Sequence, residues 1–500
     1  MSFNSIHKLL MLLAAVAVCS ANFLLAQPEL EWHYSYGYEN TYHSCTSAIP
    51  AHNGGFILVG GVDSRIAEYN IDDRDNCAVK VYENGEMEWI RHYGVALSDS
   101  EYYFEMTYEI CSTSDGNYIL AGTSNASFER EGVFGNAQVN LLKIDDAGDL
   151  LWNRKYCLGD RRSYATGIIE CEQDGYFVVG GASSEERLNS DGYLLKINSE
   201  GDSLWTVFFG GDYRDDIYNI IAIDENEFLL GGFTAELGLG RPSIYLVKIN
   251  SQGEELQSNI IGTDDLDTPT SMIKTSDGGF ALTARRGNFN DILFIRTDAD
   301  LEPVSMVVWD EDRPFCMAED IIENNDGSFV LAGNSIPEND FFPLLLLKID
   351  EDGNEVWSAH YGEREFSYFS SRLFLTDDNS YYIAGGGDFF RFTLMKTEPD
   401  FTNVSDLKDY SPYKFILFPA YPNPFNSATI IRYYIPSTTH VKFALFEING
   451  KEISVLQQGI NQAGFNTIEF NSGSLPSGIY ILRMNTENTF SQSIKLLLMK

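Results

Sequence analysis

The chain is poor in positive charge, poor in cysteine and without any long helical period. Of its 500 residues, 34 are Lys or Arg against 73 Asp or Glu, a formal net charge of -39. That balance excludes nucleic acid and an anionic membrane surface as partners, because each would need a basic patch. Seven cysteines are present, one of them (Cys19) inside the N-terminal apolar run. The other six are Cys45, Cys77, Cys111, Cys157, Cys171 and Cys316; they are even in number but sparse and irregular, so they make no disulfide framework and read as buried free thiols. No pair has zinc-ligand spacing. No His-Glu-x-x-His helix, Gly-x-Ser-x-Gly elbow or phosphate-binding glycine loop occurs, and no catalytic residue is nominated. The six histidines beyond the N-terminal run, His33, His43, His52, His92, His360 and His440, are scattered at strand ends and turns. A helical solenoid is excluded by the lack of a sustained 3.6-residue apolar period.

What is present begins with an export signal. Lys8, an apolar run from Leu9 and small residues up to Ala26 read as a secretory signal peptide over residues 1–26, with cleavage after Ala21 or Ala26. No later segment is apolar enough to span a bilayer, so the mature chain is expected to have no transmembrane segment. Five hundred residues exceed the roughly 250–300 that one core supports, unless the fold is a repeat array.

The chain beyond the signal is such an array. Asp115-Gly116-Asn117-Tyr118-Ile119-Leu120-Ala121-Gly122 recurs from Asn53, Asp174, Glu225, Asp277, Asp326 and Asp378. In every copy an aromatic (Phe56, Tyr118, Phe177, Phe228, Phe280, Phe329, Tyr381) opens a short apolar run, closed by Gly in all copies but the one ending at Ala284. These aromatics lie 62, 59, 51, 52, 49 and 52 residues apart. The copies are built of four β-signals: one before the acid turn, the aromatic-led run, an apolar run ending in a basic residue such as Lys143 or Lys196, and a fourth strand that Trp89, Trp152, Trp205 and Trp357 begin and that ends in an aromatic and Gly, as at Tyr93-Gly94, Phe209-Gly210 and Tyr361-Gly362. Four strands at a period near 50 predict a β-propeller, here seven-bladed and spanning residues 27–397. The seventh copy stops at Glu398-Pro399 without its Trp strand. Leu30 to Gly37 carries that missing pattern, so the N-terminal strand is expected to complete the last blade and close the ring.

Strand direction places the first-to-second and third-to-fourth turns, rich in Asp, Asn and Gly, at one end of the sheets. The irregular second-to-third loops and blade-to-blade crossovers fall at the other end, which is the expected place for function. The crossovers are acidic and interleaved with aromatics. Asp212, Tyr213, Asp215 and Asp216, with Asp264, Asp265 and Asp267, are the candidate ligand-binding residues. Carboxylates there offer the oxygen ligands that Ca²⁺ takes, and Ca²⁺ is the one candidate cofactor. The partners expected at this end are a polysaccharide or a surface protein, giving a binding or scaffold role. A carboxylate-dependent glycoside hydrolase or lyase, or a purely structural surface component, is the alternative. The third-to-fourth turn, Asn198 to Trp205, resembles the Asp-box turn of sialidase-type propellers and the docking turn of quinoprotein propellers, and departs from both in spacing. The resemblance implies a structural Trp staple between blades.

The charge changes sign near the C-terminus. From Tyr413 to Lys500 there are seven Lys or Arg against four Glu, a net of +3, so the residues before it sum to -39 minus 3, or -42. This marks a boundary, with a polar linker over 398–412. Alternating runs and an Asn449-Gly450 hairpin signal predict a small immunoglobulin-like β-sandwich over 413–500. Tyr421-Pro422-Asn423-Pro424-Phe425-Asn426, then Gly450, then Gly478 and Tyr480, then Lys495 to Lys500, resemble the type A C-terminal sorting domain of type IX secretion cargo. The resemblance implies the type IX machinery as a partner, a Bacteroidota-like envelope, and an address that is secreted or on the extracellular face of the outer membrane.

Overall fold

A computed structural model describes residues 27–400 and 415–499, apart from 39–40, 67–70, 95–103, 126–127, 130–132, 135–136, 159–161, 172–174, 184–189, 212, 236–241, 264, 288–290, 310–315, 336–342, 363–367, 388–390, 418–424, 436–437, 448–449, 462–463, 474 and 487–490. The expected signal peptide and most of the expected linker lie outside these residues. The chain divides into two compact units, Met1–Thr402 and Asn403–Lys500. Among the described residues no helix is long and apolar enough to cross a membrane.

The first unit is all-β, built of seven successive sets of four antiparallel strands. Sheet one runs Tyr42–Pro50, Phe56–Ile66, Ile71–Val81 and Met87–Tyr93, and sheet two Phe104–Ser112, Tyr118–Asn125, Gln138–Ile144 and Leu150–Tyr156. A single parallel bridge between Arg74 and Phe104 joins these two. Sheets three to six begin at Arg162, Asp215, Asp267 and Cys316 and repeat the pattern. Sheet seven has Phe369–Leu375, Tyr381–Gly387 and Arg391–Thr397 from its own repeat, and its fourth strand is Leu30–Tyr36, antiparallel to Arg391–Thr397.

Period-2 alternation explains how one strand serves two neighbours. Along Phe56–Val59 the odd and even side chains point to opposite sheet faces. Phe56 and Leu58 join Tyr36, Phe392 and Leu394 of sheet seven, whereas Ile57 and Val59 join Tyr118 and Leu120 of sheet two. The same division recurs, so seven apolar clusters lie one between each successive pair of sheets and one between sheets seven and one. Both faces of each second strand are buried, which is why the aromatic-led runs read as continuously apolar.

The glycine that closes five of the seven runs has a specific cause. In every first strand one residue is bulged out of register: Thr46, Tyr108, Thr166, Tyr218, Thr270, Glu319 and Ser371. The bulge pushes a first-strand carbonyl onto the second strand. A Cβ at Gly60, Gly122, Gly232, Gly333 or Gly385 would collide with the carbonyl of Ser44, Met106, Asp216, Met317 or Phe369.

The third-to-fourth turns carry the Trp staple. Gly148, Gly201 and Gly253 have φ of 80°, 84° and 77°, and each rests on the Trp of the preceding sheet, Trp89, Trp152 and Trp205. The Tyr ending the fourth strand donates to the same turn's glycine carbonyl, Tyr93 to Gly148 at 2.9 Å and Tyr156 to Gly201 at 2.6 Å. Tyr36 of the N-terminal strand does the same to Gly85 at 2.7 Å, so the junction of sheets seven and one has the chemistry of the others. In sheet five Leu301 occupies the glycine position at φ 63°, where its buried side chain joins the apolar cluster between sheets four and five.

The second unit has a three-stranded sheet, Ile416–Leu417, Ala428–Ile435 and Gly464–Asn471, and a four-stranded sheet formed by Thr439–Glu447, Glu452–Asn461, Gly478–Thr486 and Ser491–Leu498. Its core includes Phe425, Ile431, Tyr433, Phe443, Leu482 and Leu496. None of the six cysteines of the described residues is in a disulfide; Cys157 is exposed and the others are buried or half-buried.

Two glycines with the same backbone but different surroundings separate strain from crowding. Gly116 has φ 81° and open space where a Cβ would go, whereas at Gly253, φ 77°, a Cβ would meet Trp205 at 2.6 Å. Gly116→Ala is expected to cost about 1–2 kcal/mol from the left-handed backbone, and Gly253→Ala roughly 1–3 kcal/mol more from displacing the indole. Urea unfolding of both variants measures the difference, and equal losses would refute the close-packed staple.

Candidate functional site

The two ends of the seven sheets differ in chemistry. At the turn end the third-to-fourth turns of sheets two to six close on a side chain: Asp145, Asn198, Asn250, Asp298 and Asp350 each accept backbone N–H bonds from two and four residues on. In sheets one, two and six the basic residue ending the third strand pairs with an acid there. Lys80 reaches Asp146 at 2.7 Å, Lys143 reaches Asp115 at 2.7 Å, and Lys348 reaches Asp400 at 2.8 Å. Burial works against the charged form of Asp115, but bonds from Lys143, Thr113 and Asn117 outweigh it and bring the carboxyl down to about 2. This end is a set of closed, interchangeable turns with its acids engaged.

The crossover end holds the acids singled out from sequence, and most of them face inward. Asp215 and Asp216 are buried at the start of the first strand of sheet four, Asp215–Ala222. Asp215 accepts the N–H of Gly211 at 2.9 Å, while its other oxygen, Oδ1, has no hydrogen-bond partner among the described residues. Asp216 accepts from Tyr164 at 2.8 Å and pairs with Arg214 at 3.0 Å; burial raises its carboxyl above the usual carboxylate range. Asp267 is also buried and accepts the N–H of Thr263 at 2.5 Å, and burial likewise raises it. Asp265 accepts the N–H of Leu266 at 2.9 Å. These carboxylates shape the crossovers by capping them. Tyr213 alone of the set is broadly exposed, at 58%; Asp212 and Asp264 lie outside the described residues.

Other aromatics share the crossovers with Tyr213. Tyr38 and Tyr42, in the passage from sheet seven to sheet one, are 49% and 38% exposed, and Phe369, in the passage from six to seven, is 40% exposed. Large apolar rings left in solvent at several crossovers are notable because the apolar side chains between the sheets are so fully covered.

A second group of charged residues, which sequence reasoning did not single out, gathers at the first strands, where Glu109, Glu319 and Arg372 lie, with Arg285 reaching in from the second strand of sheet five. The hydroxyls at the bulges bond to the next first strand: Thr46 to the Thr107 carbonyl at 2.7 Å, Thr166 to that of Ile217 at 2.8 Å, and Ser371 of sheet seven to that of Cys45 at 2.9 Å. Arg372 of sheet seven reaches past sheet one to pair with Glu109 of sheet two, and Arg285 pairs with Glu319 of sheet six. Burial opposes the charge on Arg372, but Glu109 and Asp320 outweigh it and raise the guanidinium further. Glu319 is raised by burial against the pull of Arg285. The carboxylates here are held by arginines and hydroxyls, with Ser47 donating to Glu109 at 2.5 Å. Their only sequence signal is their position beside the bulge.

In the second unit the sorting residues divide between core and surface. Phe425 is buried, bridges to Leu498, and exchanges backbone bonds with Leu497 and Met499 at 2.9 and 2.8 Å. Tyr480 is buried with its hydroxyl donating to the Pro476 carbonyl at 2.7 Å. Gly450 closes its hairpin at φ 89°, and Gly478 opens the strand Gly478–Thr486. Asn426 and Lys495 are exposed; Tyr421, Pro422, Asn423, Pro424 and Lys500 lie outside the described residues.

The class defined by this architecture is an all-β protein of repeated four-stranded sheets that carries a separate β-rich tail. Residues 419–499 match the family described as the secretion system C-terminal sorting domain. The tail is a type IX sorting domain, and it marks the chain for export, with attachment to the cell surface or release. No curated protein matches the chain. Among solved structures the chain is similar to a hypothetical protein from Leishmania major, with TM-score 0.28 and 11% identity over 48% of this chain and 87% of that one. It is similar to puromycin hydrolase, with TM-score 0.41 and 12% identity over 72% of this chain and 52% of that one. It is also similar to an exo-β-1,3-galactanase from Phanerochaete chrysosporium, with TM-score 0.31 and 11% identity over 71% of this chain and 97% of that one. None of these three likenesses bears on what this chain binds.

Asp115 supplies a pH test of the turn end. Its folded carboxyl, about 2, lies below the unfolded value of 3.8, so its contribution to stability is complete above pH 3.8 and is lost as pH falls through about 2. Asp115→Asn is expected to be less stable than the parent at pH 7 and to converge with it toward pH 2. Urea midpoints across that range check this, and a constant offset between the two would contradict the pairing with Lys143.

Proposed function

We infer that the exported chain is a surface or secreted binding protein whose crossover end meets a polysaccharide or another surface protein. In this reading residues 27–397 are a seven-bladed β-propeller closed by the N-terminal strand. Residues 398–412 are a linker, and 413–500 are an immunoglobulin-like sandwich. Residues 1–26 are a signal peptide for the inner membrane, after which the type IX machinery carries the chain across the outer membrane of a Bacteroidota-type envelope.

The observation that supports binding is the set of exposed rings at the crossovers, Tyr38, Tyr42, Tyr213 and Phe369. A flat aromatic face, with a polar tip in the three tyrosines, gives large contact area at low entropic cost, and several such rings spread over one end suit an extended ligand held by many shallow contacts. The capped acids around them would set the loop shapes, and Ca²⁺ would serve as an organiser where a carboxylate oxygen such as Oδ1 of Asp215 has no other partner. The hydrolase alternative draws less support, since Glu109 and Glu319 are each tied to an arginine and so are poorly placed as a free acid and base.

A polysaccharide array probed with the exported chain, with and without Ca²⁺, tests this. Retention on one polysaccharide class that falls roughly tenfold or more in Tyr213→Ala and Tyr42→Ala, about 1.4 kcal/mol, is the expected result. A blank array sinks polysaccharide binding, and release of shortened sugars would replace it with the hydrolase reading. Export is tested separately: deleting 413–500 is expected to trap the chain in the periplasm, and its continued release would overturn the role of the tail.

A further inference from the structure

Three side chains with metal-binding chemistry converge on one face of sheet one, apart from the crossover acids, the first-strand ion pairs and the sorting residues. His43 lies on the first strand, Tyr42–Pro50, Cys77 on the third, Ile71–Val81, and His92 on the fourth, Met87–Tyr93. Cys77 stands directly opposite His92, and His43 is opposite Val62 on the intervening second strand. Gly60 is the neighbour of Cys77 across that strand, with Cys45 opposite Gly60 on the first strand, so His43 reaches the level of Cys77 from two residues along. One donor atom from each of the three residues lies within 4.8 Å of the other two. Spacing along the chain holds no hint of this, because the three residues are brought together by strand register.

The surroundings fit a bound cation better than a plain core. His43 is 2% exposed and Cys77 is fully buried. Thr41 Oγ1 lies 3.2 Å from Nδ1 of His43, while Nε2 is buried and has no hydrogen-bond partner among the described residues. A buried polar atom without a partner is rare in a native fold and points to an unfilled role. A ligating imidazole characteristically uses its second ring nitrogen in a hydrogen bond that orients the ring, which Thr41 supplies. Gly37 presses on the same ring, where a Cβ would come within 2.7 Å of Nδ1. Phe392 of sheet seven packs 5.8 Å away and Tyr38 packs against both His43 and His92. The charged groups nearby are Asp63, held by Arg74, with Asp75 on the strand of Cys77 and Arg391 of sheet seven; they balance in sign.

We propose that His43, Cys77 and His92 form a Zn²⁺ site at the crossover end of the junction between sheets seven and one, with a fourth position open beside the exposed His92. Two imidazoles and a thiolate suit a borderline-soft ion. Zn–N bonds of about 2.0–2.1 Å and a Zn–S bond of about 2.3 Å require donor separations of roughly 3.3–3.6 Å in tetrahedral geometry. From a present spacing of up to 4.8 Å the three donors therefore close by at most about 1.2–1.5 Å, mainly by movement of His92, the least confined. Binding one Zn²⁺ forms two Zn–N bonds and one Zn–S bond and expels the Cys77 thiol proton to solvent. The ion would tie the first strand of sheet one to its fourth beside the crossover that leads out of the N-terminal strand.

Titration of the chelator-treated full chain with Co²⁺ is the test. The expected result is a thiolate-to-Co²⁺ charge-transfer band that saturates at one equivalent, is displaced by Zn²⁺ and is absent in Cys77→Ser. Zn²⁺ affinity should fall roughly tenfold or more in His92→Ala, whose exposed side chain can be cut back without opening the core, a point that circular dichroism checks. Absence of the band in the parent chain, its persistence in Cys77→Ser, or parental Zn²⁺ affinity in His92→Ala would each overturn the site. Should Cys77→Ser fail to fold, the parent titration and His92→Ala decide.

Discussion

The antiparallel pairing of Leu30–Tyr36 with Arg391–Thr397 is the contact on which the rest of the repeat unit depends. Every other sheet is made from one contiguous stretch of chain and can satisfy its own ladder locally. Sheet seven cannot: without the N-terminal strand it has three strands and a bare edge, and an unpaired edge is an aggregation hazard. The same strand supplies Tyr36 to the Gly85 carbonyl and brings Trp32 and Tyr34 against that turn. Pairing segments this far apart incurs the loop-closure entropy of nearly the whole unit, which grows slowly with length, but the contact is the least local in the fold and so the costliest to reach kinetically.

Once that pairing is made, the two ends of the sheets are under different constraints. At the turn end, backbone geometry dictates residue type: a left-handed glycine, an acid or amide that accepts the turn N–H groups, and a Trp beneath. Leu301 and Asn379, the non-glycine residues at positive φ among the described residues, show the repeat departing from glycine without losing the turn. At the crossover end the loops differ in sequence, and Asp215 and Asp267 are occupied in capping theirs. Asp215 and Asp267 are buried because a crossover leaving one sheet for the next exposes N–H groups that a nearby carboxylate can accept, and Asp216 is buried against the Tyr164 hydroxyl and Arg214. The rings remain outside because no sheet covers them.

The tail obeys different rules. Its motif aromatics Phe425 and Tyr480 are core residues, so part of what makes the sorting domain recognisable in sequence is the need to fold a small two-sheet unit. Lys495 and Asn426, exposed, are available for contact with whatever reads the domain.

Much of the architecture was legible because it is local. The period, the aromatic-led strands, the turn glycines and the Trp strand displaced to the N-terminus each arise from residues a few positions apart, and the sorting motif was legible as a linear pattern. The closing glycine of the repeat was legible as a mark but not as a cause, since its reason is a first-strand carbonyl pushed across by the bulge. The bulge itself inserts one residue and so reverses which side chains face which way, and that puts Glu109, Glu319 and Arg372 beyond reach of any alternation argument. Sequence alone determined an all-β repeat chain with a sorting tail, because strand periodicity and turn chemistry are short-range. Only the tertiary structure decided that Arg372 meets Glu109, that the crossover aspartates turn inward, and that His43, Cys77 and His92 converge, because those neighbours are set by strand register and sheet-to-sheet packing across separations that no spacing in the chain records.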